Sequence, residues 1–488
     1  MNTQAKPRIK EANRRQLLLR PINVEKLVSE DHPVRAIWEF VGRMDLSRFY
    51  ASVASLEGQA GRSAWDPRLL ICIWIYAYSQ GIPSAREIER RFEYDPAFQW
   101  LTGMEVINHH TLSDFRMSGK ATLDELFTQV LGLLSADGLI TLERVMHDGT
   151  KIRANASGDT FRREERIRQY LEVAERQVQE MGNPDSDEVT LRQQKAQERA
   201  RRERKEKLEA ALAELEEIRK SKVGKEAKAE ARSSVTDPDA RIMKNGEGGF
   251  GPSFNAQIST DSAHGIVVSS FVTQSASDFN ELIPALDAIE KNLKKLPDQV
   301  VVDAGFTSRE NIMDVADKKV DLIGSVLDGS PRASALLKSR GVSEDFYPDK
   351  FGHDPQSDSF RCPAGKTLAY ACKENHSGKV TYYYQASIDD CTACPFRTHC
   401  CPGTKHGRIV SRSIEDPVVE SFKRKMQTEE AKGIYKQRGP VAEFTNAWLK
   451  TKIGLRRFSV RGFKKVELEL KWACIALNIQ HWTRLAWA

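Results

Sequence analysis

The sequence predicts an α/β protein: a mixed sheet flanked by helices, preceded by an all-α N-terminal domain and broken by two insertions. Three observations predict it. Residues 32–138 place apolar side chains at helical spacing. Between residues 143 and 326, β-branched runs and helical periods follow in the order β-β-β-α-β-α-β, a hairpin sheet continued by helical crossovers. Two stretches, one dense in charge and one in cysteine, stand apart from that pattern as insertions.

Residues 1–31 are polar and basic and read as a loose arm. In the helical region 32–138, Val34, Ile37, Phe40, Val41 and Met44 trace the face of a first helix. DPRLLICIWIYAYSQG reads as a buried helix, with Pro67 near its start and Gly81 past its end. Ser84 and Glu87 form a capping box, and Thr111 with Asp114 marks a further helix start. Leu123, Leu126, Phe127, Val130 and Leu133 line a last helix that stops at Gly138. The helices near 85–93 and 111–119 suggest a helix-turn-helix pair with Arg86, Arg90, Arg91 and Arg116 as its cations. The linker 94–110 is long for a compact motif.

The core is expected over 139–161 and 233–344. ERVMHDGTKIRA is a strand ending near Asp148, and SFNAQISTD and GIVVSSFVTQ form a hairpin around SAHG. DFNELIPALDAIEKNL is an amphipathic helix. QVVVDAGF is a buried strand ending at Asp303, SRENIMDVADKK a helix capped by Ser308, and VDLIGSV a further strand. The first insertion, 162–232, is heavily charged with nearly balanced signs. Leu208, Leu212, Leu215 and Ile218 give it a thin apolar seam, so it reads as a helical hairpin or short coiled coil bent at MGNPDSD. The second, 345–407, holds the cysteines. Residues 408–488 return to helices over 418–432 and 440–454 and end in the apolar ELELKWACIALNIQHW.

Bulk properties narrow the class. The 488 residues are 40% hydrophobic, enough to bury cores in several domains. No apolar run reaches the ~18 residues of a membrane span, and MNTQAKPRIKEANRRQ lacks a secretory signal, so the expected compartment is cytoplasmic with no membrane partner. The net charge of +6 is too small for this length to establish a nucleic-acid partner. Its distribution says more: LKTKIGLRRFSVRGFKK gathers Lys450, Lys452, Arg456, Arg457, Arg461, Lys464 and Lys465 without an acid, with Phe458 and Phe463 interleaved. Such a stripe suits a phosphate backbone.

Three acids carry the chemistry. Asp148 and Asp303 each follow an apolar strand and precede small residues, which leaves room for a substrate at one sheet edge. Glu443 lies near a helix start marked by Gly439-Pro440, with Tyr435 and Arg438 before it and Lys450 seven residues on, projecting from the same face. Carboxylate oxygens are magnesium ligands. Two such ions ~3.5–4 Å apart activate a nucleophile and stabilise a leaving oxygen. His147, next to Asp148, should point to the other face of its strand.

Six cysteines fall between Cys362 and Cys401; Cys72 and Cys474 lie in apolar helices and read as buried thiols. Cys391-x2-Cys394 is a knuckle spacing, and Cys362 and Cys400 complete a four-thiolate zinc site, with Cys401 or Cys372 able to replace one ligand.

Tyr435, Arg438, Glu443 and Lys450, read as Y-x2-R-x4-E-x6-K, resemble the signature of bacterial insertion-sequence transposases of the Asp-Asp-Glu class. DGTKIRANAS, FNAQISTDSAHGIVV with TQSASDFNEL, VVDAGF, and the helical stretch from HPVRAIWEF to TLSDFR resemble that family's blocks in the same order, over roughly residues 20–480. The resemblance implies an RNase H-like core with Asp148, Asp303 and Glu443 as catalytic ligands of Mg²⁺ (or Mn²⁺). It implies that Tyr435, Arg438 and Lys450 contact transposon-end DNA, beside the basic Arg456, Arg457 and Arg461. Inserts of this family also carry CxxCPxRxxC, which favours Cys400 over Cys401. The implied reaction frees a 3′ hydroxyl at the element's end and joins it to target DNA, both steps being in-line phosphoryl transfers, so Tyr435 is not a nucleophile. The implied partner is double-stranded DNA, terminal repeats and target, held by a homodimer. A structure-specific nuclease on the same core and a catalytically silent DNA-binding relative are the alternatives.

Overall fold

The β-branched runs assemble one mixed sheet, and everything else is arranged about it. The structure, a computed structural model, describes residues 15, 19, 21–55, 63–179, 191–246, 248–325, 330–376 and 379–487. The expected bend MGNPDSD lies outside them, as does most of the N-terminal arm. The part of the arm that is described is tied down: Arg35 donates to the Glu25 carboxylate at 2.7 Å and to Ser29 O at 3.0 Å.

The N-terminal helices are α1 (Pro33–Gly42), α2 (Ser47–Ala51), α3 (Pro67–Ser79), α4 (Ala85–Arg91), α5 (Pro96–Thr102), α6 (His109–Met117) and α7 (Lys120–Ala136). α3 is apolar all round and is buried almost throughout, as such a helix must be. Asp66 caps it by accepting from Arg68 N at 2.8 Å. Ser84 accepts from Glu87 N at 3.4 Å, but the Glu87 carboxylate turns to Arg90 and Arg91, so only half of the capping box forms. α6 begins at His109, capped by Asn108, two residues before the expected start. α5 fills the linker between α4 and α6, and those two helices therefore form no compact helix-turn-helix.

The core sheet begins with β1 (Arg144–Arg153). A two-residue ladder, β2 (Phe161–Arg162) with β3 (Ser233–Ser234), pins together the ends of a segment holding α8 (Glu164–Gln179), α9 (Leu191–Ser221) and α10 (Lys225–Ala229). Leu208, Ala211 and Leu215 of α9 bury against Ile167 and Ala174 of α8, which is the use of the apolar seam. The sheet continues with β4 (Arg241–Lys244), β5 (Phe250–Asp261), β6 (Val267–Thr273), α11 (Leu282–Leu293), β7 (Gln299–Val302), α12 (Arg309–Asp317), β8 (Asp321–Gly324) and α13 (Ser330–Ser339). Its order is β8-β7-β1-β5, with β4 and β6 both on the far edge of β5. β1, β7 and β8 are parallel, while β5 runs antiparallel to β1. This is the RNase H-like mixed sheet.

A second, antiparallel sheet holds β9 (Gly352–Asp354), β10 (Ser359–Arg361), β11 (Thr367–His376), β12 (Lys379–Ala386) and β13 (Ile409–Ile414), in that order, with α14 (Ile388–Thr392) and α15 (Arg397–Cys400) before β13. The chain then forms α16 (Pro417–Lys425), α17 (Glu429–Lys436), α18 (Phe444–Thr451) and α19 (Phe463–Leu485). One helix was expected over 418–432 and a fresh start at Gly439-Pro440. Instead two helices form, and Gly439–Glu443 makes a π-type turn that carries the chain helically from α17 towards α18. Pro440 has no N–H to lose there, which suits the wider turn. α19 buries Trp472, Cys474, Ile475 and Leu477 between the sheet and the N-terminal helices, fusing them into one core.

Arg116 of α6, read above as a surface cation, is buried in that core. Its guanidinium donates to Pro83 O at 2.6 Å and Tyr78 Oη at 3.2 Å, lies 4.5 Å above the Trp74 ring and stands 3.8 Å from Glu469 of α19.

Candidate active site

Asp148 stands in the middle of β1, not at its end, because β5 pairs with β1 as far as Arg153. On the other side β7 stops early. Met146 pairs with Val301, so Asp148 and Asp303 lie two residues further along adjacent parallel strands. They continue the row of Met146 and Val301, whose face is covered by Ala431 of α17 and Ala442 of the π-type turn. Glu443 follows Ala442, so the sheet register and the helix covering it bring the third acid to the same face.

Arg438 joins strand to helix. Its guanidinium is 3.6 Å from Asp148 Oδ2 and 3.3 Å from Glu443 Oε1. Asn446 of α18 donates to Asp148 Oδ2 at 2.9 Å, across 298 positions of chain, and Gly149 N donates to Oδ1 at 3.0 Å. Burial pushes the Asp148 carboxyl up to about 6; Arg438 opposes that, and the charges of Asp303 and Asp278 add to it. Asp303 caps the short turn after β7, accepting from Gly305 N at 2.8 Å. Glu443 is the most open of the three, its side chain 65% exposed.

The donor set suits a hard cation. All the ligand atoms are oxygens, and the buried Asn446 Oδ1 finds no hydrogen-bond partner among the described residues. As placed, no group of three or more His, Cys, Asp or Glu among the described residues is close enough to hold an ion. Like charges repel without a cation between them, and Arg438 supplies positive charge here.

The remaining expected DNA contacts are spread over several elements. Tyr435 lines an open groove with Gly324 and Ser325, beyond the end of β8. Lys450 is on α18. Arg456 and Arg457 run beside the end of β1: Arg153 N donates to Arg456 O at 3.2 Å, and Arg153 bridges Arg457. That is ~16 Å along the strand from Asp148. Arg461 donates to Asn155 O at 2.9 Å. Phe458 is buried, with its ring edge-on to Phe254 at 5.9 Å, and so is not available to a base.

Two residues escaped the sequence reading. Asn446 carries no signal beyond its place three residues after Glu443. Asp278 reads as the beginning of an amphipathic helix. That helix begins at Leu282, and Asp278 turns back onto the sheet, where Lys151 Nζ lies 3.1 Å from both its carboxylate oxygens. His147, on the face opposite Asp148, is buried; burial lowers it to about 4, and its ring bonds to Ser259 and Gln257.

Cys362, Cys391, Cys394, Cys400 and Cys401 line one small cavity, while Cys372 is exposed on β11. Backbone amides point at two of the sulfurs, Lys366 N at Cys362 (3.2 Å) and Arg408 N at Cys391 (3.4 Å). Burial pushes Cys400 up to about 12.

The mixed sheet, with helices laid over it, has the RNase H-like fold. Two family models narrow the class: one described as Transposase DDE domain matches residues 361–483, and one described as Transposase domain (DUF772) matches residues 22–118. The chain is an insertion-sequence transposase of the DDE class and acts on DNA. No curated protein matches it. A cryo-EM structure of a piggyBac transposase synaptic complex with hairpin DNA is similar over 94% of this chain and 73% of that one, at 10% identity and a TM-score of 0.30, too distant to bear on the site. No helix among the described residues is long and apolar enough to cross a membrane.

Proposed function

We propose that this transposase cleaves the ends of its insertion sequence and joins the freed 3′ hydroxyl to target DNA, with Asp148, Asp303 and Glu443 as its catalytic carboxylates. The observation that carries the reading is Arg438, whose single guanidinium stands within 4 Å of both Asp148 and Glu443 while Asp303 lies abreast of Asp148. The three acids would hold Mg²⁺ or Mn²⁺, which when bound supplies electrophilic charge for in-line phosphoryl transfer. Asn446 holds the Asp148 carboxylate in place by its amide. A DNA phosphate would compete with the two acids for Arg438, and a metal ion would compete with Arg438 for the acids, so each would favour the other's binding. Tyr435, Lys450, Arg456, Arg457 and Arg461 extend the contact along the backbone of double-stranded DNA. Paired cleavage of two ends calls for a homodimer. Beside the second sheet, Cys362, Cys391, Cys394 and Cys400 would form a structural zinc site, with Cys401 the competing fourth ligand; their convergence on one cavity and the amide donors to two sulfurs support it.

The test is purified protein with Mg²⁺ and labelled DNA carrying the element's terminal repeats. Cleavage at the repeat ends with joining to a second DNA, both lost in Asp148→Asn, is expected. Cleavage without end preference would make the chain a structure-specific nuclease. Binding without cleavage, indifferent to Asp148→Asn, would make it a silent DNA-binding protein.

A further inference from the structure

We infer that Asp278 is a positioning residue for the carboxylates of Asp148 and Asp303, acting with Lys151 from the face of the sheet opposite Glu443. The inference rests on the proposed role of those two acids. Along β1, Asp148 points to the face covered by the π-type turn, while Gly149 and Lys151 have the parity of the other face. On that other face Asn255 Nδ2 (2.7 Å), Gln257 Nε2 (2.8 Å) and Lys151 Nζ (3.1 Å) all donate to Asp278 Oδ1. Three donors converging on one oxygen call for an anion, and charge-assisted bonds of this kind hold geometry tightly.

The orientation of Gln257 is fixed from behind. Its Oε1 faces His147 Nε2 at 3.0 Å, His147 Nδ1 faces Ser259 Oγ at 2.9 Å, and Ser269 Oγ donates to Ser259 Oγ at 2.8 Å. With Gln257 Oε1 able only to accept, the proton of His147 sits on Nε2 and every bond in the row points the same way, ending on Asp278. Such a row is stiff because each bond polarises the next.

Asp278 reaches the segments that follow both acids. A Cβ on Gly149 would lie 2.4 Å from Asp278 Oδ1, so the carboxylate rests directly on the strand next to Asp148. A Cβ on Gly305 would lie 3.9 Å from Asp278 Cβ and 3.0 Å from Asp303 Oδ1. One side chain therefore sets the spacing between β1 and the turn after β7.

The experiment compares full-length wild type, Asp278→Asn, Lys151→Met and Asp148→Asn by Mn²⁺ binding (free-ion electron paramagnetic resonance), by metal-free thermal melting and by cleavage of terminal-repeat DNA. Asp278→Asn should still melt cooperatively, at a lower midpoint, yet bind Mn²⁺ and cleave about 10–100-fold less well, the usual loss when a residue supporting metal ligands is removed. The double variant Asp278→Asn with Lys151→Met should lose no more than either single change, the mark of a pair acting as a unit. Should Asp278→Asn fail to melt cooperatively, Lys151→Met carries the same comparison. Binding and cleavage within about twofold of wild type in the folded variants, with Asp148→Asn defective, would overturn this inference and leave the proposed function standing. Wild type that binds no Mn²⁺ would bring down both.

Discussion

Replacing Glu469 by glutamine should cost the fold about 3–5 kcal/mol, the range for removing one partner of a buried ion pair. Glu469 is fully buried on α19 and accepts from Ser459 N at 2.9 Å, Ser459 Oγ at 2.6 Å and Val460 N at 3.3 Å, with Arg116 at 3.8 Å. Glutamine keeps the shape but has one acceptor oxygen for these donors, and it leaves the Arg116 guanidinium inside without a counter-charge. Neighbouring Glu467 is the control: its partner Lys120 is 53% exposed and the pair reaches solvent, so Glu467→Gln should change stability by less than ~1 kcal/mol. Urea titration followed by tryptophan fluorescence reads both, since Trp74 and Trp472 lie beside the pair. Adding Arg116→Met to Glu469→Gln should restore part of the loss, because the unpaired charge is then gone. A loss below ~1 kcal/mol, or a double variant worse than the sum of the singles, would refute the assignment of this pair as a buried clamp.

Three further outcomes are expected. Burial pushes Asp237 up to about 6, above its ordinary 3.8, so its support of the fold is complete below pH ~4 and is lost as pH rises through 6; Asp237→Asn, always neutral, should match wild type at pH 4 and exceed it by on the order of 2 kcal/mol at pH 8, and parallel pH–stability curves would sink this. A Cβ on Gly407 would lie 2.0 Å from the Ala386 carbonyl oxygen, so Gly407→Ala should destabilise the second sheet by at least ~1–3 kcal/mol in thermal melting, and an unchanged midpoint would show that this approach is not tight. Metal analysis should find one zinc per chain, lost in Cys391→Ser and Cys394→Ser and kept in Cys372→Ser; protein purified without stoichiometric zinc removes the four-thiolate site, and the behaviour of Cys400→Ser against Cys401→Ser names the fourth ligand.

The strand and helix order was readable because VVV before Asp303 and FNAQIS before the turn have β-branched or alternating patterns that local physics decodes. What depended on distant partners was not. Gly149-Thr150 looks like the end of a strand, but β5 is long enough to pair with β1 as far as Arg153, which leaves Asp148 in mid-strand. Asp278 before Phe279-Asn280-Glu281 looks like a helix start, and only the folded sheet shows three donors waiting for it. Arg116 looks like a surface cation until α19 delivers Glu469 from the far end of the chain. Gly439-Pro440 looks like a helix start because the pair usually is one, whereas packing on the sheet keeps the chain helical through it.

The ladder of β2 with β3 has a consequence for how this chain can change. Phe161 faces Ser234 and Arg162 faces Ser233, so the excursion through α8 and α9 leaves and re-enters the core at points ~5 Å apart. To the sheet, that excursion is a hairpin turn whatever its contents. Loop-closure cost grows only slowly with length, and α8 and α9 bury their seam against each other. The segment is thus a socket: residues there can be gained, lost or exchanged while the strand that carries Asp148 keeps its register.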